Sequence, residues 1–263
     1  MIRKYPLFIA AVALLVMTAS GSRDESVSGL PSAAATPDSQ GTVEFTCTGN
    51  KVAFNATAES IAVDWGDGST EEYGTLDDDK VWHEYANETE RIIRIRTGNL
   101  SFFSCYSQQV TDLDVSNCPA LTELRCYGNL LSRLDVSKNT ALTRLYCGRN
   151  QLSSLNVSSN TMLERLDCEY NQLGVLNVSN NMALTVLLCN NNRLKALDVS
   201  NNTALTSLYC SYNQLSADIL DRIFKDLCER SGKSYGEIYI GGNPGSSECH
   251  RSIARDKNWF IPN

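Results

Sequence analysis

Five columns of matching residues recur every 21 positions along this chain, and that period limits what it can fold into. Leu121, Leu142, Leu163, Leu184 and Leu205 form one column, and Leu124, Leu145, Leu166, Leu187 and Leu208 the next. Cys126, Cys147, Cys168, Cys189 and Cys210 make the third, followed by Asn129, Asn150, Asn171, Asn192 and Asn213. Leu131, Leu152, Leu173, Leu194 and Leu215 complete the set, and "LDVS" or "LNVS" links the copies from Leu113, Leu134, Leu155, Leu176 and Leu197. A degenerate copy comes first, with Leu100, Phe103, Cys105 and Val110 in register and Gln108 at the asparagine position. Another follows an insertion, with Ile238, Ile240 and Asn243 in the same columns. A unit this short cannot bury its apolar face alone, so the copies must stack.

The columns carry their own physical explanation. In L-x-C the leucine and cysteine point to one side of a short strand and the intervening residue to the other. Stacked copies then form a parallel sheet with strands ~4.8 Å apart and ladders of like residues inside. The asparagine amide can satisfy backbone groups that a tight coil would bury unpaired. Cysteine is small and readily buried, which suits the narrow interior of a 21-residue coil. Ten cysteines also raise the alternative of disulfides. Parallel ladder neighbours rarely meet the required dihedral, so Cys105 through Cys210 are expected as buried free thiols. No histidine or carboxylate joins their column, which argues against a metal row. Cys118 replaces the second asparagine column (Asn139, Asn160, Asn181, Asn202), Cys47 reads as core, and a disulfide between Cys228 and Cys249 stays open.

The unit L-x-x-L-x-C-x-x-N-x-L resembles the leucine-rich repeat family, and the array resembles that of internalin-like bacterial adhesins. The resemblance implies a mainly β right-handed solenoid with one continuous parallel sheet over residues 99–215. Its strands should centre on Leu124, Leu145, Leu166, Leu187 and Leu208, with Phe103 and Ile238 at the two edges. Ahead of it, residues 41–98 contain "VDWGDGST" and an H-x-Y pair, His83 and Tyr85. Trp65, Gly66, Asp67, Gly68 and that pair resemble the PKD-type β-sandwich, an extracellular spacer without catalytic residues. Residues 216–263 read as a C-terminal cap holding the last degenerate repeat. Ile219, Leu220, Ile223, Phe224 and Leu227 space as an amphipathic helix, with Ser216 as N-cap and Gly232 as stop. Ile253, Trp259 and Phe260 should close the same end.

Residues 1–21 read as a signal peptide: Arg3 and Lys4, an apolar run from Leu7 to Met17, then Ala19, Ser20 and Gly21. That run is short of the ~20 residues a membrane span needs, so no span is expected in the mature form. Ser22 stands where a lipid-attachment cysteine would be required, and residues 22–40 read as a flexible linker. The protein is therefore expected to be secreted or at the cell surface. A net charge of −7 disfavours nucleic acid. Asp77, Asp78 and Asp79 lack the glycine and spacing of a calcium loop and read as a solvated acidic loop. Two histidines, His83 and His250, have no evident triad partners, and no hydrolase, zinc or phosphate-loop motif is present. No enzyme activity, metal or cofactor is expected.

What the repeat leaves free should be the binding face. These positions are Phe102, Tyr106, Arg125, Tyr127, Arg144, Tyr146, Arg149, Arg165, Asp167, Glu169, Tyr170, Leu188, Tyr209, Tyr212 and Tyr239. Tyrosine and arginine are enriched at protein interfaces, and aromatic rows also suit sugar faces. The expected function is recognition, by a monomer, of an extracellular or cell-surface protein. Glycan binding and a structural role in the cell envelope are the alternatives.

Overall fold

In a computed structural model, which describes residues 40–232 and 234–262, all fifteen strands of the described residues belong to one of two sheets. The expected signal peptide and all but the last residue of the expected linker lie outside the described residues. The first six strands are β1 (Gln40–Cys47), β2 (Lys51–Ala58), β3 (Ser60–Asp64), β4 (Thr70–Tyr73), β5 (Leu76–Glu84) and β6 (Arg91–Gly98). The degenerate first coil supplies β7 (Phe102–Ser104) and β8 (Val110–Asp114). Then come β9 (Glu123–Arg125), β10 (Arg144–Tyr146), β11 (Arg165–Asp167), β12 (Val186–Leu188) and β13 (Ser207–Tyr209). The chain finishes with α1 (Ala217–Asp226), β14 (Gly236–Tyr239), α2 (Ser252–Asp256) and β15 (Trp259–Phe260).

Stacking follows the period. Phe103 pairs with Leu124, Leu124 with Leu145, Leu145 with Leu166, Leu166 with Leu187, Leu187 with Leu208 and Leu208 with Ile238, all in parallel register. The expected edges are corrected, because the sheet does not stop at Phe103 or Ile238. It runs β15-β14-β13-β12-β11-β10-β9-β7-β2-β5, with β2 antiparallel to β7 through Ala56 and Phe103. A row of unpaired backbone groups on β7 would otherwise be exposed, and β2 covers it. The first coil also crosses to the second sheet, β4-β3-β6-β1-β8, where Phe45 of β1 faces Leu113 of β8. The two sheets meet through aromatic rings: Phe45 lies 6.5 Å from Phe54 and 6.2 Å from Phe103.

Trp65 is fully buried, stacked 5.0 Å from His83, while Tyr85 donates its hydroxyl to the Trp65 carbonyl at 2.8 Å. Asp67 bonds His83 at 2.9 Å and turns the chain between β3 and β4. The motif residues singled out in the sequence thus meet at one corner. Asp77, Asp78 and Asp79 belong to the edge strand β5 and not to a loop, with their side chains exposed.

At the far end, α1 buries Leu220, Ile223 and Phe224. It ends at Asp226 and not at Gly232, and Ser216 makes no side-chain cap. Trp259 of β15 lies flat over Gly236, where a Cβ would sit 2.6 Å from the ring, so only glycine fits there. Cys228 and Cys249 are free, each Sγ donating to a carbonyl, of Leu205 and Ser246 respectively.

The six ladder thiols, Cys105, Cys126, Cys147, Cys168, Cys189 and Cys210, are free and fully buried. Burial pushes Cys105 and Cys210 up to about 12 and the others well above the usual thiol range, so the nucleophilic thiolate is suppressed. Thiol reagents should leave these six unmodified in the native protein and label them after denaturation. Cys147→Ala should cost about 1–3 kcal/mol in urea unfolding. Cys147→Asp, which places a carboxylate in the apolar ladder, should abolish the cooperative transition.

Candidate functional site

Each three-residue strand turns its central residue inward, Phe103 in β7 and leucine in the others, and the residues on either side outward. The outward rows are therefore Phe102, Glu123, Arg144, Arg165, Val186 and Ser207, and beside them Ser104, Arg125, Tyr146, Asp167, Leu188 and Tyr209. Glu237 and Tyr239 extend them onto β14. Tyr106, Tyr127 and Glu169 follow one residue after the ladder cysteine, just past the strands.

Arg149, Tyr170 and Tyr212 occupy the next position, which is left-handed in every coil. Its φ values run Ser107 51°, Gly128 72°, Arg149 49°, Tyr170 50°, Asn191 54°, Tyr212 52° and Gly242 75°. Glycine adopts this conformation freely, whereas a bulky side chain held there costs about 1 kcal/mol or more. The three bulky residues are held in a backbone state that two other coils give to glycine.

The middle of the face is a lattice of rings and guanidinium groups. The Arg125 guanidinium lies 5.0 Å from the Phe102 ring and 5.6 Å from Tyr146, and Arg165 covers Tyr146 at 5.6 Å. Arg149 sits 4.3 Å from Tyr170 and 5.8 Å from Tyr127, which stacks on Tyr106 at 5.8 Å. Glu123 holds Arg125 at 2.6 Å and Arg144 at 3.2 Å. Toward the C-terminal end Tyr209 and Tyr239 stack at 4.4 Å, and Tyr209 donates to Glu237 at 2.9 Å.

Asp167 is one of three outward residues that are nevertheless buried, 8% exposed beside Glu123 and Ser104 at 9% each. Gly148 explains the burial of Asp167. A Cβ there would lie 2.8 Å from the Asp167 carboxylate and 3.0 Å from the Tyr127 ring, so its absence lets both close over the same spot. Burial pushes the Asp167 carboxyl up to about 6; the Glu169 backbone N–H and Arg165 oppose that shift, and the Glu169 charge adds to it.

A groove of about 490 Å³ opens where β2 and β5 meet the first coils. Tyr106, Arg125, Tyr127 and Tyr146 line it from the coils, and Ala53, Asn55 and Lys80 from the adjoining strands. Ser104 and Gln108 complete it, with Gln108 accepting the Ala53 N–H at 2.7 Å. Sequence reading missed Asn55, Lys80, Ser104 and Gln108, because nothing local signals that β2 pairs with β7. His83 and His250 lie away from this face, paired with Asp67 and Asp221. Among the described residues no cluster of three or more histidine, cysteine, aspartate or glutamate side chains is placed to hold a metal ion. No helix of the described residues is long and apolar enough to cross a membrane.

No family model matches the chain, and no curated protein matches it either. Among solved structures, an internalin from Listeria monocytogenes is similar at 32% identity, over 42% of this chain and 35% of that one, with a TM-score of 0.39. The functional domain of InlJ from the same organism, described as including a cysteine ladder, is 24% identical over 62% of this chain and 48% of its own, with a TM-score of 0.40. A leucine-rich repeat protein of Leptospira interrogans is 22% identical over 49% and 33%, with a TM-score of 0.42. The chain spans less than half the length of each of these structures.

The buried carboxylate yields a pH prediction. A carboxyl near 6 in the folded chain and near ~3.9 when unfolded destabilises the fold increasingly as pH rises through that window. Below the window both states are protonated and the penalty vanishes. Asp167→Asn should therefore be more stable than the parent at pH 7.5, with the gap in unfolding free energy growing by about 2 kcal/mol between pH 4.5 and 7.5. Urea titrations at the two pH values measure it.

Proposed function

We propose that this is a secreted or cell-surface recognition protein that binds another protein, without catalysis, through the outward face of its leucine-rich repeat sheet. The observation that carries this reading is the strained backbone beneath Arg149, Tyr170 and Tyr212. Strain retained at a position that accepts glycine in neighbouring coils argues for a use of the side chain rather than of the fold. The side chains in question are tyrosine and arginine, the types that supply most binding energy at protein interfaces. Arg149 and Tyr170 join the ring–guanidinium lattice near the 490 Å³ groove, and Tyr212 lies farther along the face, against Gly242.

Residues 41–98 serve in this reading as a PKD-like spacer whose strands β2 and β5 extend the sheet of the solenoid, and residues 216–263 close the array. The leader-like start supports export. Glycan binding is the second reading, favoured by the Tyr209–Tyr239 stack beside Leu188 and Asn190 at the C-terminal end of the face.

Capture of shed extracellular proteins on the immobilised chain, run beside a glycan array, tests the proposal. Tyr146→Ala with Tyr170→Ala should weaken protein capture by roughly 2 kcal/mol or more together, with little change in melting temperature. Replacing Asp77, Asp78 and Asp79 with Asn should leave capture unchanged. Binding that needs the acidic strand and ignores the tyrosines would move the site off the repeats.

A further inference from the structure

The lattice also bears on the chemistry of the partner. On a chain with 30 acidic and 23 basic side chains, Lys80 and Arg125 line the groove, and Arg144, Arg149 and Arg165 follow on the next two coils, with Glu123, Asp167 and Glu169 as the carboxylates on the same stretch of the face. Glu123 engages Arg125 and Arg144. Arg149, Arg165 and Lys80 form no ion pair among the described residues. The Arg165 Nε is in addition buried without a hydrogen-bond partner. A carboxylate arriving at this surface meets cations that no carboxylate of the chain pairs directly, Asp167 and Glu169 acting on Arg165 and Arg149 only from beyond ion-pair distance.

The ring geometry selects among anions. Arg125 comes from the strand on one side of Tyr146 and Arg165 from the strand on the other, so both faces of that ring carry a guanidinium. Tyr127 likewise has Tyr106 on one side and Arg149 near it. A sugar ring needs an open aromatic face, and these faces are covered. What remains outward is ring edges, hydroxyls and the planar N–H forks of arginine, which match carboxylates two bonds at a time. We infer that the ring–guanidinium lattice of Arg149, Arg165 and Tyr146, with Lys80 across the groove, docks an acidic polypeptide segment of the partner. This rests on the sheet face being the binding surface.

Poly-L-glutamate is the probe, with dextran sulfate as the comparison, titrated against the full chain by calorimetry. Poly-L-glutamate should bind, about tenfold more weakly at 300 mM than at 50 mM salt. The double variant Arg149→Gln, Arg165→Gln should bind it at least tenfold more weakly while keeping the parent's circular dichroism and melting temperature. Arg165→Lys, which keeps the charge and loses the planar fork, should fall between. Equal binding by the double variant, or none by the parent, overturns the inference. Binding of dextran sulfate alone through the same arginines overturns the polypeptide and leaves the face as the site. Protein capture that depends on Tyr146 and Tyr170 stands or falls separately.

Discussion

One side chain in each coil holds the array together. The Asn150 amide nitrogen donates to the Cys126 carbonyl of the previous coil at 3.0 Å and to its own Cys147 carbonyl at 3.1 Å. Its oxygen accepts the Leu131 N–H at 3.0 Å. Asn171, Asn192 and Asn213 repeat the pattern, and Asn129 and Asn243 begin and end it. These asparagines are nearly inaccessible, so each bond satisfies a backbone group that water cannot reach. The chain leaves the strand abruptly after each cysteine because the asparagine satisfies the turn. The second column, Asn139, Asn160, Asn181 and Asn202, does less, donating to two carbonyls while its oxygen has no protein donor.

The same turn shapes the proposed binding surface. Holding the asparagine in place requires the residue before it to be left-handed, and that residue projects at the rim of the sheet face. Where the coil uses Gly128 or Gly242 the rim is bare, and where it uses Arg149, Tyr170 or Tyr212 it carries a contact group. Structure and proposed recognition are thus coupled at adjacent positions, one buried and polar, the next exposed and strained.

Much of this was legible in the sequence, because ladders of Leu, Cys and Asn at a fixed period admit few arrangements. The pairing of Leu124 with Leu145 and of Leu145 with Leu166 follows from the spacing alone. What escaped were long-range consequences. The antiparallel pairing of Ala56 with Phe103 joins residues far apart in the chain, and it brings Lys80 to the groove. Asp167 alternates outward as expected, yet is buried by a glycine in the preceding coil and a tyrosine in the one before that. The end of α1 at Asp226 was missed because residues after Leu227 keep a polar composition compatible with helix.

The asparagine ladder sets the stability of each turn, one coil reaching back to the one before it. Hydrogen exchange at the Leu152 amide, which donates to Asn171 at 2.9 Å, tests it most directly. In Asn171→Leu, whose carbon tip cannot accept, the Leu152 N–H should lose protection by about two orders of magnitude, a larger loss than at Leu194, whose acceptor Asn213 is untouched. Unchanged protection at Leu152, or an equal loss at both amides, would contradict the account.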